Sequence, residues 1–268
     1  MSAKSSNKSV NHYVGGVACT IFGRAPENGW QWPMLVLLPL WVLLAFVASS
    51  WVVSAVLYIA SWLSFPIDSY VRPSVLQTIL AVIVYALTLS IVIAGPYLWK
   101  KRPIVPLQTL GLARLPTWTD IGLAPITYFA YVIITASLLA AVMSWFPGFP
   151  LDQAQDVGFQ AMGSRIDNLL AFLTLVVLSP LAEETLFRGY LYGKLKAYVP
   201  AVLAALVTSL LFALVHFQLN VGIDVFVLSL FLCGLRSLTG SIWAGVLVHM
   251  IKNGVAYYAL FVSPFIGA

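Results

Sequence analysis

An all-α, polytopic transmembrane helix bundle of about seven spans is the fold class that this 268-residue sequence predicts. Three observations predict it. Hydrophobic residues make up 61% of the chain and charged residues only 9%, with a mean hydropathy of +0.95; soluble domains carry about a quarter charged residues. The apolar residues fall in runs of roughly 20, the length a helix needs to cross ~30 Å of hydrocarbon. The few charges cluster between those runs, as in chains that cross a bilayer repeatedly. The net charge of +5 therefore reads as topology signal and headgroup contact. The lipid bilayer is an expected partner and nucleic acid is not.

Residues 1–33 form a polar N-terminal segment, cytoplasmic or interfacial, with Trp30 and Trp32 placed where an interfacial aromatic belt would sit. The apolar run 34–63 is about twice the length of a signal-peptide core and reads as an uncleaved first span. Further runs follow at 75–99, 121–146, 168–187, 199–217, 222–238 and 241–262. The fourth continues past Arg188 to about Lys196, since only two glycines interrupt it, and Pro200 marks the turn. The sixth is short and contains Cys233 and Gly234, which predicts a tilted helix or one covered by its neighbours. Cys19 and Cys233 lie in unlike contexts and suggest neither a disulfide nor a thiolate metal site. No repeat of 20–50 residues is visible. The chain thus divides into the polar segment 1–33, N-terminal helices and loops over 34–167, and a C-terminal core over 168–262.

Loop charges predict orientation. Lys100, Lys101, Arg102 and Arg114 outweigh Asp120 in one loop, whereas Asp152, Asp156 and Asp167 outweigh Arg165 in the next. The positive-inside rule places the first in the cytoplasm and the second outside. Lys194 and Lys196 then fall inside, Asp224 outside and Arg236 inside, which gives a cytoplasmic N-terminus in a multi-pass protein.

Inside the spans, polar residues are few and concentrated. The run P-L-A-E-E-T-L-F-R-G-Y at 180–190 places Glu183, Glu184 and Arg188 in apolar sequence, where each charge costs roughly 2.5–3.5 kcal/mol on insertion scales. Glu184 and Arg188 are four apart, so they share a helical face as an ion pair, while Glu183 is rotated about 100° away. His216 follows Phe212 by four residues, and His249 precedes Asn253 by four, again on single faces. At ~1.5 Å per residue, Glu183 and His216 lie roughly 18 and 25 Å from the turn near Lys196 and His249 roughly 13 Å from the turn near Gly240, within about two helical turns of one another in depth. Each has an ordinary alternative: a helix–helix hydrogen bond for either histidine or Asn253, packing for Phe212, and snorkelling for Arg188. Adjacent carboxylates have no such ordinary use in a span.

Such a set fits hydrolysis by activated water. A carboxylate in a partly dry site acts as general base, a neighbouring histidine holds the water or shares its proton, and His249 with Asn253 supplies two donors for an oxyanion. No serine or cysteine in the spans has a comparable base partner, so a covalent intermediate is disfavoured. Two histidines and a glutamate are also the ligand set of many catalytic zinc sites, making Glu183, His216 and His249 candidate metal ligands. The H-E-x-x-H pattern of soluble zinc proteases is absent.

The sequence resembles the CAAX-processing and bacteriocin-immunity membrane proteases. E-E-T-L-F-R at 183–188 is similar to the family's E-E-x-x-x-R motif, F-A-L-V-H at 212–216 to F-x-x-x-H, and H-M-I-K-N at 249–253 to H-x-x-x-N/D. The motif order, the flanking F-R-G-Y-L and the approach T-G-S-I-W-A-G also fit, over roughly 168–262. The resemblance implies that Glu183 activates water with help from His216. It further implies that Arg188 orients the glutamates with Glu184 in support, and that His249 and Asn253 stabilise the oxyanion. Its implied substrate is a peptide or membrane protein, in the cell membrane of a prokaryote. The same residues suit a zinc or a metal-free mechanism. Two other classes compete with the endopeptidase: a non-proteolytic immunity or scaffold protein, and a proton-coupled transporter, against which the absence of a repeat counts.

Overall fold

The structure is a computed structural model that describes residues 31–65, 67–100, 105–148, 159 and 164–262. Most of the 1–33 segment, the Lys101–Arg102 pair, and Asp152 and Asp156 lie outside the described residues. Six helices are long and apolar enough to cross a membrane: α1 (Met34–Trp62), α2 (Pro73–Lys100), α3 (Trp118–Trp145), α4 (Arg165–Leu195), α6 (Leu219–Thr239) and α7 (Trp243–Val262). A seventh apolar helix, α5 (Ala201–Leu214), is shorter. The described residues contain no strand. The protein is an all-α, multi-pass membrane protein.

Two of the sequence expectations change. The fifth run yields 14 helical residues, about 21 Å and too short to cross alone, because the chain turns at Val215–Gln218 and starts a new helix at Leu219. Conversely, the sixth run gives a full 21-residue helix. Gly222 on α6 lies 3.6 Å, measured from the Cβ it would carry, from the Ala213 carbonyl, so the two helices form a close hairpin. Phe217 in that turn has φ +54°. Irregular backbone within a span is tolerated where it is covered by protein or lines a cavity, and His216 sits in this break.

The helices differ in their surroundings. In α4 and α6, 44% of the most apolar window is buried, against 11% in α2 and α3. Leu, Ile, Trp and Tyr side chains project outward along α1 and α3, as lipid requires. One apolar cluster joins Val42 and Ala45 of α1, Val92 of α2, Leu186 to Leu195 of α4, and Phe212 of α5. A second joins Tyr131 of α3, Leu228 and Leu232 of α6, and Val248 of α7. The glutamates lie between the two.

Candidate active site

α4 is not a uniform α-helix. It widens to a π-helix over Leu173–Leu178, returns to α over Ser179–Glu184, and widens again over Thr185–Tyr192. The adjacent glutamates therefore sit on one α-helical turn bracketed by π segments, which concentrate at functional sites and bend the ladder around them. The first widening has a readable cause and cost. Ser179 N–H bonds Thr174 O in the i→i+5 register, so the next donor in that register, for Leu175 O, is residue 180, a proline without an N–H. Asn253 of α7 fills the gap, its Nδ2 donating to Leu175 O at 2.9 Å.

Glu184 is wholly buried. Its Oε1 accepts from Arg188 Nη1 at 2.7 Å, the i,i+4 pair expected from spacing, and lies 3.1 Å from His249 Nδ1. An ionised carboxylate only accepts, so Nδ1 of His249 carries the proton and Nε2 faces away. Arg188, also wholly buried, lies over the Phe212 ring with its guanidinium carbon 4.4 Å from the centroid. Gly245 of α7 makes room for this carboxylate: an added Cβ would stand 3.2 Å from Glu184 Oε2.

Glu183 has other neighbours. Its side chain is 18% exposed, and its Oε2 is 3.9 Å from His249 Nε2. Its Oε1 accepts a 2.6 Å hydrogen bond from the Tyr85 hydroxyl of α2. His216 Nδ1 is 2.7 Å from Phe212 O. A carbonyl cannot donate, so this nitrogen is the protonated one in the neutral ring, and Nε2 keeps its lone pair. Glu183, His216, His249 and Asn253 all line one cavity of about 530 Å³, with Tyr85, Ser179 and Lys252 also in its wall.

The structure therefore brings all six candidate residues together, with three differences in detail. Arg188 touches Glu184, not Glu183, so it does not orient both carboxylates. His216 lies just beyond its helix rather than on it, although its ring still packs against Phe212 at 5.0 Å between centroids. Asn253 has one of its amide N–H groups committed to α4. Sequence reasoning missed Tyr85, because a lone tyrosine in a span carries no pattern. Among the described residues no group of three or more His, Cys, Asp or Glu side chains is placed to hold a metal ion.

Residues 165–255 match the model of a family described as type II CAAX prenyl endopeptidase Rce1-like. This segment, about a third of the chain, is similar to the Rce1-like family. The Rce1-like segment contains all three motifs and runs from the start of α4 into α7. A stretch of 89 residues is 38% identical to an Escherichia coli protein described as an uncharacterized 24.3 kDa protein. That stretch is 31% of this chain and 41% of the Escherichia coli protein, so the chain spans less than half of the relative it matches. No solved structure matches the chain. Tyr85 lies outside the Rce1-like segment, 98 residues from the carboxylate it contacts.

Proposed function

We propose that the protein is an intramembrane endopeptidase that hydrolyses peptide bonds with water activated by Glu183. The observation that carries this reading is the unequal treatment of two adjacent carboxylates. Glu184 is buried and bonded to Arg188 and His249, whereas Glu183 opens into a cavity beside the free edges of two histidines. Buried, paired charge holds a structure together; a half-open carboxylate facing imidazoles is placed to move protons.

In the step this implies, Glu183 removes a proton from water as the water oxygen attacks the peptide carbonyl carbon. The carbonyl electron pair moves onto oxygen. When that pair returns, the C–N bond breaks and Glu183 passes the proton to the departing amine. His216, with its Nε2 lone pair, holds the water. His249 in its doubly protonated form turns Nε2–H toward the developing oxyanion while Glu184 holds the ring from the other side. The second N–H of Asn253 is the further donor available to that oxyanion. The substrate is a peptide or membrane-protein segment that reaches the cavity from the bilayer. Loop charges support a cytoplasmic N-terminus, and a prokaryotic cell membrane is the proposed location.

Purified protein in proteoliposomes, presented with an internally quenched peptide library, tests this reading. Wild type cleaves a subset, and E183Q cleaves none while unfolding at the same temperature. Cleavage by E183Q at the wild-type rate overturns Glu183 as the base, and a folded wild type that cleaves nothing favours a scaffold or immunity role.

A further inference from the structure

The structure assigns Tyr85 of α2 as a positioning residue for Glu183, a role that rests on the endopeptidase reading above. Its hydroxyl donates to Glu183 Oε1 at 2.6 Å. The same side chain lines both the main cavity and a second, smaller one of about 150 Å³ that contacts Glu183 and His216 from the α1 side. Tyr85 thus stands in the wall between two spaces that share the proposed base. Ala81 and Gln77, one and two turns earlier on α2, line the main cavity as well, so a continuous stripe of this helix faces the site.

A phenol has one hydrogen to give. Because a carboxylate only accepts, that hydrogen goes to Glu183. The result is one directed bond, from the Tyr85 hydroxyl to Glu183, in the wall of the cavity. Its consequence is atomic: Oε1 of Glu183 is occupied, and Oε2, the oxygen 3.9 Å from His249 Nε2, is left to take the water proton. A glutamate has three side-chain torsions, and without a fixed partner its carboxylate samples orientations in which neither oxygen faces the histidines. Misplacement of a reacting group by about 1 Å costs on the order of 10²-fold in rate. A buried tyrosine needs some partner for its hydroxyl, but a partner that served packing alone would not have to be the exposed carboxylate.

The test uses the full chain in nanodiscs and the variant Y85F, which keeps the ring and removes the hydroxyl. Infrared spectra identify the Glu183 carboxylate stretch as the band lost in E183Q. In Y85F that band shifts, because a carboxylate oxygen loses its donor. On the quenched peptides cleaved by wild type, kcat falls between about 10-fold and 10²-fold, with KM and the unfolding temperature unchanged. If Y85F does not yield monodisperse protein, Y85M, which also lacks the hydroxyl, carries the test, with a band shift and a loss of kcat in the same direction. An unmoved band, or equal kcat in Y85F and wild type, overturns the proposal. So does a raised KM with unchanged kcat, which would mark Tyr85 as a substrate contact. A band that shifts in Y85F, beside a wild-type protein that cleaves nothing, overturns the endopeptidase reading instead, leaving the hydrogen bond without a catalytic purpose.

Discussion

Glu183 and Glu184 are neighbours in sequence, yet they occupy opposite electrostatic situations. Glu184 is paired and hydrogen-bonded through Oε1 alone, and its pairing with His249 links a guanidinium on α4 to a ring on α7. Glu183 has no lysine or arginine ion pair among the described residues and is held by a phenol. Spacing alone separated the two, because an i,i+4 relation is a local property of any helix. The contacts to His249 and Tyr85 span 65 and 98 residues and have no local signature. Geometry at this scale also bears on the metal question. Among the described residues no group of three or more His, Cys, Asp or Glu side chains that could hold a metal ion is found. Protein shown to be metal-free by elemental analysis is therefore expected to retain full peptide cleavage in the presence of chelator. Loss of activity on chelation, restored by zinc, refutes this.

The decisive feature at the scale of elements is the alternation of α and π winding in α4. Pro180 lies in a motif noted for its glutamates, but its physical effect is to remove the donor that the π register requires for Leu175 O. Asn253 replaces that donor from another helix. N253A strips it away, leaving a buried carbonyl unsatisfied at a cost of about 1–3 kcal/mol. We expect a lower unfolding temperature and faster hydrogen–deuterium exchange over 173–179, with N253D behaving alike because an ionised carboxylate cannot donate. Exchange and stability at wild-type values in both variants would remove this structural role. The π segments were not legible in the sequence, since LTLVVL and TLFRGYLY are as compatible with α as with π winding. The early end of α5 was equally hidden, because the apolar run continues through the turn to Phe217.

Across the whole molecule, the Rce1-like segment is clamped by a stretch that precedes it. The short turn Leu107–Leu110 and the residues after it press on α4 where Gly189 and Gly193 leave space: added Cβ atoms would stand 2.8 Å from Leu110 O and 2.9 Å from Thr109 O. Arg236 Nη2 donates to Thr109 O, Ser241 Oγ and Ile242 N–H both donate to Gly111 O, and Trp243 Nε1 donates to Arg114 O. Gly111 adopts φ +72°, and a Cβ there would meet Arg236 Nε at 2.8 Å. G189A is accordingly expected to lower stability by about 1–3 kcal/mol through overpacking against backbone. G234A, whose Cβ meets nothing, is expected to leave the unfolding temperature equal or raised, since alanine favours helix; equal behaviour of the two variants in thermal unfolding would contradict the clamp. By itself, the sequence determined the membrane class, the approximate spans, the Glu184–Arg188 pair and the short roster of polar residues worth asking about, because hydropathy and helical period are local and every buried charge in lipid is costly. Tertiary structure alone decided which carboxylate is open, which phenol holds it, where α5 stops and what closes the bundle beneath α4. Those facts depend on helices far apart in sequence coming within hydrogen-bond distance, and no spacing along one helix encodes that approach.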